Sequence, residues 1–78
     1  MAKIQHVHKA LRYLNKNDSY EGNSSHLDSA VKALTTDKGD KSVRQAIRHI
    51  ERHDNTAGNS PLVDDAIKAL YSSLGKDN

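Results

Sequence analysis

The chain has 78 residues, with 12 Lys and Arg against 10 Asp and Glu, a formal net charge of +2, a single proline, and no Cys, Trp or Phe. Disulfides and thiolate metal sites are excluded by that composition, and no stretch approaches the ~20 apolar residues of a membrane span. The mild positive balance, with a pI near 9.0, permits an anionic partner but lacks the charge density of a nucleic-acid coat.

One small domain, 1–78, with an aliphatic core is expected, near the size at which only ~60% of the extended surface is buried on folding. Met1 to His8 lacks the apolar run of a signal peptide, so the expected location is cytoplasmic.

The first predicted element, helix 3–16, carries Val7, Ala10, Leu11 and Leu14. Spacing of i, i+3, i+4, i+7 puts them on one helical stripe. Helix 25–37 repeats the pattern with Leu27, Ala30, Val31 and Leu34, helix 41–53 with Val43, Ala46, Ile47 and Ile50, and helix 61–74 with Val63, Ala66, Ile67 and Leu70. Nothing alternates with the period of two that a strand needs. The fold class is all-α, and alanine at the same place in every stripe predicts close backbone approach.

The similarity extends beyond the stripes. Residues 3–41 laid over residues 39–77 match without a gap at 13 positions, among them Val7/Val43, Arg12/Arg48, Asp18/Asp54, Gly22/Gly58, Asn23/Asn59, Ser24/Ser60, Asp28/Asp64 and Leu34/Leu70. Unrelated segments of this length match at about two or three positions, so an internal duplication is expected. The expectation is a compact four-helix domain built from two tandem αα-hairpin repeats of 36 residues, approximately 3–38 and 39–75.

Ser24 and Ser60 stand where N-caps are wanted, with Pro61 at a first helical position. Gly22 and Gly58 are expected at positive φ in a loop inside each hairpin. Gly39 and Gly75 are read as left-handed C-terminal residues of helices two and four. The two inner loops invite comparison with a paired calcium hand, but setting Gly22 at loop position six leaves Asn17 first and Asp28 twelfth, and setting Gly58 there leaves His53 first, so the comparison fails.

Three features carry possible function. Helix three places Arg44, Arg48 and Arg52 at i, i+4 and i+8, and helix one carries Lys9, Arg12 and Lys16. Stacked hairpins would put these two helices in one layer and merge their charges into one patch. Arginine forks suit carboxylates or phosphates; an acidic protein surface is the expected partner, with nucleic acid the alternative, because few side chains on that face suit base edges.

Five histidines form the second feature. His49 and His53 lie four apart, and His26 or His8 is the candidate third member of a metal set, although surface histidines are the plainer expectation and no His-Glu-x-x-His signature is present. Third, Leu62 and Ala69 widen the stripe of helix four, a candidate homodimer flank. No nucleophile elbow or glycine-rich phosphate loop is present. A non-enzymatic regulatory or binding protein without cofactor is therefore expected.

Overall fold

The computed structural model describes residues 2–75. Four helices, α1 (Ile4–Glu21), α2 (Ser25–Thr36), α3 (Asp40–Ala57) and α4 (Pro61–Ser73), account for the architecture, and no strand occurs among the described residues. α1 and α3 are each 18 residues long and begin 36 residues apart, as do α2 and α4.

The serine caps form as expected. Leu27 N–H donates to Ser24 Oγ and Val63 N–H to Ser60 Oγ, each at 3.3 Å, so each hydroxyl satisfies one of the orphan amides at a helix start.

The odd helices run further than their apolar stripes predict. α1 ends at Glu21 and α3 at Ala57, not at 16 and 53, and each inner loop shrinks to three residues, Gly22-Asn23-Ser24 and Gly58-Asn59-Ser60. The extra turn is held at its end. Gly22 N–H donates to Asp18 O and Gly58 N–H to Asp54 O, while the Asp18 and Asp54 carboxylates accept from Asn23 N–H at 2.8 Å and Asn59 N–H at 3.0 Å.

Gly22 and Gly58, at φ 76 and 80, take the left-handed side as expected. Gly39 does not. It is the N-cap of α3, at φ −80 and ψ 175, because α2 stops at Thr36 and Asp37 to Gly39 run extended into the next helix.

Burial follows the 36-residue offset. Val7/Val43, Ala10/Ala46, Leu14/Ile50, Leu27/Val63, Ala30/Ala66 and Leu34/Leu70 are all fully buried, and Leu11, Val31 and Ile67 pack half-buried against them. The closest packing is not within either half, α1 with α2 or α3 with α4. α1 lies chiefly on α4 and α2 chiefly on α3, with lighter contact between α1 and α2 and between α3 and α4. The helices thus close a ring in the order α1, α4, α3, α2 around one core, within 31 × 27 × 20 Å.

Candidate functional site

Three places on this scaffold gather polar chemistry. The first is the end of the ring where the two Gly-Asn-Ser links meet in an open cleft lined by residues of both, together with Glu21, His53 and Ala57. It is organised by two positions the apolar periodicity passes over. Asn17 and His53, three residues beyond Leu14 and Ile50 on the same stripes, are buried at 2% and 8% exposure. His53 is therefore not a surface histidine, since the stripe of α3 carries it inward.

Each of these side chains meets the N-cap serine of the other half. Ser60 Oγ donates to Asn17 Oδ1 at 2.7 Å, and Ser24 Oγ lies 2.8 Å from His53 Nδ1. The Ser24 hydroxyl thus serves both the Leu27 amide and the His53 ring. On the first side the network continues: Asn17 Nδ2 donates to Asn23 Oδ1 at 2.8 Å and Asn23 Nδ2 to Leu14 O at 3.0 Å. On the second side Asn59 Oδ1 is buried with no hydrogen-bond partner among the described residues. The groups at this end mostly satisfy one another, which makes it a structural junction.

The second place holds the remaining histidines of interest. His26 and His49 are close enough to interact, and His49 is held below the ordinary imidazole range, first by burial and then by the charges of Arg52 and His26. With His53 hydrogen-bonded in the core, the set His26, His49 and His53 does not converge. Among the described residues no group of three or more His, Asp or Glu is placed to hold a metal ion.

The third place is the outer surface of α3. Arg44, Arg48 and Arg52 are all exposed, spanning ~12 Å along the helix axis at 1.5 Å per residue. Arg48 and Arg52 flank a depression shared with Gln45 and His49, and those two residues also line the adjoining groove of Ser29, Lys32 and Thr36 toward α2. The acids beside Arg48 and Arg52 in sequence are engaged elsewhere. Glu51 Oε2 accepts the Tyr71 hydroxyl at 3.1 Å, and Asp54 accepts the Asn59 amide. Burial, together with the hydrogen bond and charge of Glu51, pushes the Tyr71 phenol up and keeps it protonated as the donor.

Lys9 and Arg12 are also exposed, and with Tyr13, Asn15 and Lys16 they line a separate depression on α1. Because α1 and α3 stand across the ring and are not a closely packed pair, these cations do not join the α3 row in one layer. On the flank of helix four, Ala69 belongs to the core at 7% exposure, and Leu62 is half-buried. No helix among the described residues is long and apolar enough to cross a membrane. No protein-family model matches the chain, and none of the curated proteins or solved structures compared with it does so either.

Proposed function

We propose that this chain is a non-catalytic binding protein that presents Arg44, Arg48 and Arg52 to an acidic protein surface, on a scaffold of two tandem 36-residue αα-hairpin copies. The carrying observation is the three-guanidinium row, exposed on the outer face of α3, while Glu51 and Asp54 are turned to Tyr71 and Asn59. Guanidinium groups one helical turn apart offer paired donors to a run of carboxylates. His49, whose protonation is disfavoured by burial and by the charges of Arg52 and His26, supplies hydrogen-bonding capacity beside the row.

A protein partner fits better than nucleic acid because the row is short, the net charge is only +2, and neither a stacking aromatic nor a continuous basic stripe accompanies it. The testing variant replaces Arg44, Arg48 and Arg52 with Glu, all on an exposed face, so helicity and Tm should hold within a few degrees. Affinity of the α3 face for a ten-residue glutamate peptide, read at low salt from the amide chemical shifts of α3, should fall at least 100-fold. Unchanged affinity would sink the proposal, and tight binding of duplex DNA of any sequence with a steep salt slope would replace it with phosphate recognition.

A further inference from the structure

We infer that the chain is bivalent, carrying a second acidic-segment site on α1 across the ring from the one on α3. This inference rests on the reading above and extends it to the partner's arrangement.

Arg12 and Lys16 occupy on α1 the positions that Arg48 and Arg52 occupy on α3, at the 36-residue offset. All four are exposed. Each pair borders its own depression, of 430 Å³ on α1 and 280 Å³ on α3. The ring order α1, α4, α3, α2 puts α4 and α2 between the two faces, so a single short segment cannot cover both.

The acids around each pair are engaged, Glu51 with the Tyr71 hydroxyl. Asp18 and Asp54 bind the amides of Asn23 and Asn59, leaving both cationic pairs facing outward without a carboxylate from their own last turn.

The occupant of each face is a carboxylate-rich peptide segment, and the two faces differ in what accompanies the charge. At the position of His49 the α1 face has Tyr13, half-buried beside Arg12. An aromatic there adds apolar surface and a hydroxyl, so the α1 face suits an acidic segment carrying an apolar side chain, and the α3 face a purely acidic one. A protein with two such faces bridges two acidic segments and makes the partner's local concentration part of its affinity.

The test is calorimetric titration of the full chain with the ten-residue glutamate peptide at low salt, alongside Arg12→Glu/Lys16→Glu, Arg48→Glu/Arg52→Glu and the quadruple variant. Expected stoichiometries are two peptides per wild-type chain, one for each double variant, and none for the quadruple. Amide chemical shifts of the wild-type protein should move on both α1 and α3, a readout independent of whether any variant folds. One peptide per wild-type chain, with shifts confined to α3 and no effect of Arg12→Glu/Lys16→Glu, would overturn bivalency while leaving the single-face proposal intact. No binding of the peptide to wild type would overturn both.

Discussion

The two polar junctions beneath the Gly-Asn-Ser links are built on one plan and finished differently. Each begins with a capping serine that accepts a helix amide and reaches a buried side chain in the opposite half. The amide of Asn17 has both an acceptor and donors, so it takes the Ser60 hydrogen and passes one on to Asn23. The imidazole of His53 meets its serine at Nδ1, and among the described residues Asn59 Oδ1 is buried without a partner. A single residue type at one stripe position decides whether the network closes, because an amide offers donors and an acceptor at one end whereas a ring offers them on opposite edges.

That contrast can be broken most strongly from the satisfied side. Asn17→Ala removes two hydrogen bonds at a buried position and leaves Asn23 Oδ1 without its donor. The expected cost is about 3 kcal/mol, since each orphaned buried group alone costs roughly 1–3 kcal/mol, and chemical denaturation would measure it. His53→Asn should behave in the opposite sense, offering Asn59 the donor it lacks. The gained hydrogen bond, about 1 kcal/mol, offsets the packing lost with the ring, so stability should change by less than ~1 kcal/mol. A loss at His53→Asn as large as that at Asn17→Ala would mean that ring packing, not hydrogen-bond completion, governs the second junction.

The alanines of the even helices ask whether the two halves are equally tight. Ala30 and Ala66 are both fully buried, so Ala30→Leu and Ala66→Leu should each destabilise by about 1–3 kcal/mol through overpacking, and by similar amounts. Thermal melts giving sharply unequal losses would show that one half of the ring has slack the other lacks.

Smaller again is the pair Ser24→Ala and Ser60→Ala, each losing a cap worth about 1 kcal/mol. Each also deprives a buried side chain of the other half of its partner, His53 Nδ1 for Ser24→Ala and Asn17 Oδ1 for Ser60→Ala, so the two losses should be similar.

The smallest effect concerns acid. His49 has its folded-state pKa lowered, so below the ordinary value of about 6.5 the unfolded chain takes up the proton before the folded one does. Stability is then lost as pH falls from that value through the lowered folded pKa. His49→Gln should flatten this limb of the stability profile, and a His49→Gln profile that falls as steeply as wild type would assign the acid sensitivity to another group.

Most of the fold was legible because four aliphatic stripes with punctuation at Ser24, Ser60 and Pro61 leave little choice of secondary structure. The extra turns of α1 and α3 were not. They hold no buried apolar side chain, and the next stripe positions after Leu14 and Ile50 are Asn17 and His53, so a rule that counts hydrophobic residues stops early. The signal was available: both lie at i+3 from a core residue, 36 residues apart. Gly39 was misread because a glycine between helices serves equally as the end of one or the start of the next, and only the extended run of Asp37 to Gly39 decides it.

The arginine row was fully visible as spacing. What spacing cannot supply is which helix lies beside which, and pairing α1 with α4 in place of α3 turns one expected patch into two faces.

The backbone amide of Lys3 donates to the carbonyl of Ser73 at 2.8 Å. The beginning of α1 is therefore moored to the end of α4, and in the 36-residue register Ser73 and Lys3 correspond to Asp37 and Gly39, the ends of the link between α2 and α3. The backbone is thus nearly a closed loop with a nick in it, and the nick and the link occupy matching places. A circular permutant that joins the region after Ser73 to Lys3 and opens the chain at Gly39 would keep all four helices and their order around the ring.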